Sequence, residues 1–155
     1  MAFVNTEDII GSDALVEAYL TGSITEFADD RILKLRKAAF NSCPNLARVA
    51  LPNVKIIPNV AFHNSGALAF VDLGSAEHID TYNFNKSLTT LIIRTPTVCK
   101  FLSAGNDLTN CTIYVPRTLR DGSDGPASYA AATNWSAYAD QIRAIEDYPE
   151  ITGGV

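Results

Sequence analysis

The triplet Ala38-Ala39-Phe40 returns as Val60-Ala61-Phe62 and again as Tyr82-Asn83-Phe84, with one constant interval from each phenylalanine to the next. The apolar positions between them repeat at the same offset. Leu46, Val49, Leu51, Val54 and Ile57 of one unit stand where Leu68, Val71, Leu73, Ala76 and Ile79 stand in the next. A fixed period of roughly 20 to 50 residues, here about 22, is the signature of a solenoid, whose units bury their apolar faces only against their neighbours. The same offset taken backwards reaches Ile24, Phe27, Ile32 and Leu35, with Asp29 where an apolar residue is expected, so the first unit is degenerate. Taken forwards, the third unit is shorter by about two residues. Leu88, Leu91, Ile93 and Val98 take its core positions, and Leu91 and Ile93 recur as Ile113 and Val115.

The shared pattern Leu-x-x-Val-x-Leu-x-x-Val predicts a short strand at each Val-x-Leu, because alternation with period 2 points both apolar residues to one face. Strands are expected around Ala50, Asp72, Ile92 and Tyr114, with a weak one near Ala28, stacked into a narrow parallel sheet. Phe40, Phe62 and Phe84 are expected to form an internal ladder. Asn41-Ser42, Pro52-Asn53, Pro58-Asn59, His63-Asn64-Ser65-Gly66 and Gly74-Ser75 fall between the apolar columns, where the chain must turn.

The open ends of a solenoid expose a core cross-section and need caps. Ser12 to Leu20 reads as an N-terminal cap helix, with Ser12 or Asp13 at its start and Leu15, Val16, Tyr19 and Leu20 on one side. After Val115-Pro116, the run Asp121-Gly122-Ser123-Asp124-Gly125-Pro126 reads as a flexible loop. Beyond it Asn134 is placed to cap a helix whose stripe Trp135, Tyr138, Ile142 and Ile145 would pack on the last strand. The expected organisation is an N-terminal segment over 1–23, repeats over 24–116, loop and cap over 117–147, and a loose tail over 148–155.

At 155 residues, with 47% hydrophobic and 19% charged residues, the chain has the makings of one folded domain with a proper core. A net charge of −5 argues against a polyanionic partner, so no nucleic acid is expected. No run is apolar enough to cross a membrane, and the residues after Met1 lack the basic and apolar regions of a signal peptide. Cys43, Cys99 and Cys111 cannot all pair within one chain and have no Cys-x-x-Cys spacing, so they read as buried free thiols.

The strings Ala39-Phe40-Asn41-Ser42-Cys43-Pro44-Asn45-Leu46 and Leu51-Pro52-Asn53-Val54 resemble the BspA-like class of leucine-rich repeats. The closing segment, Ile113-Tyr114-Val115-Pro116 followed by Ala131 to Asp147, is similar to the cap of such repeats in proteins of Gram-positive gut bacteria and their phages. Together the two regions cover roughly residues 24 to 147. The resemblance implies an α/β repeat: a short leucine-rich-repeat solenoid with a narrow parallel sheet and helical caps at both ends. The insert between Arg120 and Ser128 is longer than that cap requires, and residues 1–23 match nothing in the family. A chain starting directly at Met1 without a leader is expected to be a phage virion component rather than a bacterial surface adhesin.

Chemistry is sparse. His63 and His78 occupy non-equivalent repeat positions, which disfavours a metal or catalytic pair. Cys43 aligns with Ser65 and Ser87, as a small column residue would, and no motif supplies it with a base. Asp121-Gly-Ser-Asp-Gly resembles a calcium loop in composition only, and Asn110-Cys111-Thr112 and Asn134-Trp135-Ser136 satisfy the glycosylation sequon formally. There is no phosphate loop or Ser-His-Asp order, so the expectation is a non-enzymatic protein with no catalytic residue, metal or cofactor. What remains is a surface. Arg48, Phe70, Asp72, Ile92 and Tyr114 should project from the outward side of the sheet with Arg94 beside them, and these six are the candidate binding residues, the alternative being that some of them pack under a flanking loop or against a sister chain. The expected partners are other virion proteins or a host-surface ligand, with oligomerisation of the chain a further expectation. Residues 1 to 20 are the expected docking element on the particle.

Overall fold

A computed structural model describes residues 9–11 and 24–154. It is a parallel-strand β-solenoid of about four turns. Among the described residues the strands are β1 (Ile9–Gly11), β2 (Glu26–Ala28), β3 (Ile32–Leu35), β4 (Arg48–Ala50), β5 (Ile56–Ile57), β6 (Phe70–Asp72), β7 (His78–Ile79), β8 (Thr90–Ile92), β9 (Lys100–Phe101), β10 (Thr112–Val115) and β11 (Ile142–Ala144). From β4 to β10 successive strands alternate between two walls of the coil. A six-stranded parallel sheet runs β11-β10-β8-β6-β4-β2, a three-stranded parallel sheet runs β5-β7-β9, and β1 pairs with β3 antiparallel.

The period of the repeat sets the register. Val49 faces Val71, Leu91 and Ile113 in successive strands, and all four are buried. Arg48 pairs with Phe70, whereas Phe70 pairs with Thr90, a shorter step along the chain. The third unit therefore loses its two residues in the turn between Phe84 and Leu88 and keeps its strand in register. The ladder is present: Phe40 stacks on Phe62 with centroids 5.4 Å apart, and Phe62 on Phe84 at 5.8 Å. Phe27 meets Phe40 at 5.1 Å in a tilted contact that ends the column. A second column, Ile57, Ile79 and Phe101, runs inside the three-stranded sheet. Phe101, not Val98, carries that wall of the third unit; Val98 lies half-buried against the core.

The turns before the phenylalanines, and the matching turn of the last coil, share one backbone geometry. Ala38, Val60, Tyr82 and Gly105 have φ of 66°, 56°, 58° and 69°. This left-handed conformation costs an L-residue about 1–2 kcal/mol, and a β-branched one suits it least. Bonds between coils hold it in place: the Phe40 amide donates to the Ala61 carbonyl at 2.7 Å and the Tyr82 amide to Ala104 at 3.0 Å. Asparagine tolerates this region better, so Val60→Asn is expected to raise stability by about 1 kcal/mol. A lowered thermal midpoint would mean that the packing of the Val60 side chain outweighs its backbone strain.

Buried polar side chains stitch the coils on the same edge. The Asn106 Oδ1 accepts the amides of Asn83 and Phe84, both at 2.9 Å, while its Nδ2 donates to the carbonyls of Asp80 and Leu102. One coil earlier, the Asn83 Oδ1 accepts the Phe62 amide and its Nδ2 donates to the carbonyls of Pro58 and Asp80. The Ser65 hydroxyl donates to the Phe40 carbonyl and accepts the Cys43 amide. Among the described residues no buried side-chain nitrogen or oxygen is left unpaired.

The C-terminal end is closed by a mixed element rather than by the helix expected from Asn134 to Ile145. The α-helix, α1 (Gly125–Ala131), lies earlier; its cap is Asp124, whose Oδ1 accepts the Ala127 amide at 2.8 Å. The cap suits the sequence because Asp124 precedes Gly125-Pro126, and Pro is preorganised for the first helical turn. Gly125 is required there, since a Cβ would lie 1.7 Å from the Pro116 carbonyl oxygen. Ser136–Gln141 forms 3-10 turns, and β11 follows as the last strand of the large sheet, pairing Ile142 with Ile113. Asn134, at φ 67°, caps no helix; its Nδ2 donates to the Phe101 carbonyl. Trp135 stacks on Phe101 at 4.6 Å, and its Nε1 donates to the Cys99 carbonyl at 2.7 Å, so the ring closes the core. The N-terminal helix expected over Ser12 to Leu20 lies outside the described residues. Among the described residues no helix is long and apolar enough to cross a membrane.

Candidate binding face

Strand alternation sends every second residue of the six-stranded sheet outward, and the parallel register aligns these residues in rows. One row reads Glu26, Arg48, Phe70, Thr90 and Thr112; the other reads Ala28, Ala50, Asp72, Ile92, Tyr114 and Arg143. At the usual spacing between strands the face is about 24 Å across. The structure brings the six candidates, Arg48, Phe70, Asp72, Ile92, Arg94 and Tyr114, onto this one surface. Arg94 extends beyond Ile92 and forms an ion pair with the buried Asp72, whose Oδ1 also accepts the Gly74 amide at 3.2 Å. Gly74 itself sits at φ 37°, against the Pro52 backbone of the neighbouring coil. The Arg48 guanidinium lies 4.0 Å above the Phe70 ring, a cation–π contact that fixes it over the sheet.

The apolar part of the face is not open to solvent. Phe70 and Tyr114 are each 7% exposed and Ile92 is fully buried, under Ile145, Tyr148 and Ile151. Tyr148 meets Tyr114 edge to face at 5.2 Å. Burial, with the neighbouring Tyr148, pushes the Tyr114 phenol above its ordinary value. The tail expected to be loose from Tyr148 onward therefore forms a cover through Ile151. Arg117 tethers its start: the Arg117 amide donates to Glu146 Oε2 at 2.9 Å, and its guanidinium pairs with Asp147. Sequence reasoning misses this cover because the spacing of Trp135, Tyr138, Ile142 and Ile145 places all four on one helix side. Trp135 and Ile142 enter the inner core, while Ile145 turns to the opposite side of the sheet. The uncovered part carries Glu26 and Ala28 at one edge, with Arg48, Thr90 and Thr112 half-buried along the first row.

The other chemically capable residues are engaged in structure. The three thiols are free and buried. Burial, with the Glu77 charge, pushes the Cys99 thiol from an ordinary 9.0 to about 12, and burial pushes Cys111 to about 12 as well. Protons are thus held more tightly by the folded chain, so the stability these thiols contribute is present below pH 9 and is lost as pH rises toward 12. Thiolate is the reactive form, so labelling by a thiol-specific disulfide reagent at pH 8 is expected to be about 100-fold slower in the folded chain than in urea. Comparable rates would show that the core opens readily. Asp121 accepts from the Ser123 amide and hydroxyl, and Asn110 donates to the Lys86 carbonyl, which accounts for the loop and the first sequon as turn chemistry. His63 lies in a turn, edge-on to Tyr82, and His78 lies in β7. Among the described residues no three His, Cys, Asp or Glu side chains gather as a metal site.

No protein-family model matches the chain, and no curated protein matches it.

Proposed function

We propose that the chain is a BspA-like leucine-rich-repeat module serving as a non-enzymatic structural component of a phage particle, on its head or tail. In this reading it engages another virion protein or a host-surface ligand through the outward face of its six-stranded sheet. The observation that carries the reading is that face: Ile92 and Tyr114 stand in register on adjacent strands with Phe70 diagonal to them on the next strand, flanked by Arg48 and by the Asp72–Arg94 pair. Aromatic residues and arginines are enriched at interface centres, and repeat proteins bind along such surfaces. The constant period and the strings around Phe40 and Leu51 support the repeat class.

The test is binding of the purified chain to phage particles that lack it and, in parallel, to intact Gram-positive gut bacteria. Arg48→Glu reverses a charge at a half-buried position on the uncovered part of the face, outside the core, so the fold should survive. Circular dichroism checks that it does. The expected result is binding to particles, reduced at least about tenfold by the substitution, which is what one interface hot-spot contact contributes. Binding to cells alone would replace the virion reading with that of a surface adhesin. Binding to neither would remove both.

A further inference from the structure

The solenoid core is complete without its C-terminal tail. One continuous apolar cluster fills the coils from Ile24 to Ile142, and Phe70, Ile92 and Tyr114 form a separate cluster on the other side of the sheet. A strand face destined for water carries polar residues, as Thr90 and Thr112 do beside these three. Three apolar side chains clustered on adjacent strands, Ile92 beside Tyr114 and Phe70 on the diagonal, are instead a site for something that covers them.

What covers them has the form of a short ligand. Ile145 and Ile151 lie in two successive 3-10 turns, Ile145–Asp147 and Pro149–Gly154, and Tyr148 sits at the joint between them. All three side chains pack on the cluster of Phe70, Ile92 and Tyr114. The amides of Tyr148 and Ile151 donate to the carbonyls of Ile145 and Tyr148, so the segment satisfies part of its own backbone before it meets the sheet. Its three covering side chains are only partly buried, and the Arg117–Asp147 ion pair at its root lies in solvent, with both side chains more than half exposed. Segments held by a few apolar contacts and exposed polar ones open at a small fraction of the cost of global unfolding.

We infer that residues 145–151 are a built-in ligand of the strand face, which closes the binding surface in the free chain and is displaced when a partner segment of the same apolar–aromatic chemistry binds. The inference rests on the reading that this face is where the chain binds. A site that must first be vacated binds with an affinity reduced by the fraction of molecules that are open, so the tail sets a threshold for engagement.

The test uses a fluorescein-labelled peptide with the sequence of residues 144–152, followed by anisotropy. It is titrated into three proteins: the intact chain, a chain ending at Ala144, and a full-length Tyr148→Ser/Ile151→Ser variant that opens the face if the truncated chain does not fold. Half-saturation of an opened chain is expected at a peptide concentration at least about tenfold below that of the intact chain. Adding Ile92→Ser to the opened chain should abolish binding, since Ile92 is the most buried residue of the patch. Equal binding to intact and opened chains, or to none, overturns the inference. So does a Tyr148→Ser/Ile151→Ser chain that has lost its cooperative thermal transition, because the tail would then be part of the fold. Peptide capture by an opened chain that binds neither particles nor cells would keep the built-in ligand and discard the functional reading. Equal particle binding by intact and opened chains would do the reverse.

Discussion

Phe62→Ala is expected to destabilise the chain by about 3–5 kcal/mol, the range for deleting a buried aromatic ring. Phe62 is the middle rung of the ladder, with Phe40 stacked on one face at 5.4 Å and Phe84 on the other at 5.8 Å. Its removal leaves a cavity that two neighbouring coils would have to close, and each coil is already fixed by its strand register and by its turns. A coil of a solenoid has no contacts beyond its neighbours with which to compensate. Typical domains are stable by about 5–15 kcal/mol, so this substitution removes a large part of the total. The end rung is the control. Phe27 is half-buried and makes one tilted ring contact, with Phe40, so Phe27→Ala should cost about half as much. Urea unfolding of both variants, followed by circular dichroism, decides the matter: equal losses would mean that the column does not act as a stacked unit.

Asn106→Leu is expected to cost about 3–4 kcal/mol even though it makes the core more apolar. The side chain serves four backbone groups: the amides of Asn83 and Phe84, and the carbonyls of Asp80 and Leu102. Each buried group left without a partner costs about 1–3 kcal/mol, partly offset by water that enters the turn. Leucine fills a similar volume, so the loss isolates the polar role from the packing role. Hydrogen exchange supplies the specific readout: the Asn83 and Phe84 amides should lose protection before the strand amides of β8 do. Unchanged protection at those two amides would show that other groups can replace the asparagine.

The inward residues of the large sheet were legible in the sequence because each strand gives two alternating apolar positions and the offset repeats them. Strands expected around Ala50, Asp72, Ile92 and Tyr114 lie within a residue of β4, β6, β8 and β10, and the weak one near Ala28 is β2. The second sheet was not legible as strands, because β5, β7 and β9 are two residues long and contribute one inward residue each. The signal for its last column was nevertheless present, since Phe101 follows Ile79 at the same interval that separates Ile79 from Ile57. Asn83 stands in the triplet before Phe84 and Asn106 in no motif; their part in joining coils was hidden because Asn106 falls one position beyond the interval of the repeat. At the C-terminus, spacings of three and four from Trp135 to Ile145 imitate a helix, while Ile142-Arg143-Ala144 also alternates as a strand does, and pairing with β10 decides for the strand. Alternation puts Arg48, Phe70, Asp72, Ile92 and Tyr114 on the outward side of the sheet. Which segment covers them was not legible, because it is formed by Ile145, Tyr148 and Ile151, whose contacts with the sheet leave no mark in the repeat.

The shortened turn after Phe84 turns the molecule into a graduated spacer. Two residues are missing from the turn after Phe84, yet Thr90 still sits beside Phe70 and the rise from β6 to β8 remains one strand spacing, about 4.8 Å. Length in sequence and length in space are thereby decoupled within a coil and coupled between coils. Small in-frame insertions and deletions at the turns leave the distance between the two ends of the protein untouched. Gain or loss of a whole coil changes that distance by one fixed step, so a gene encoding this fold can set reach in discrete increments while its turns diversify independently.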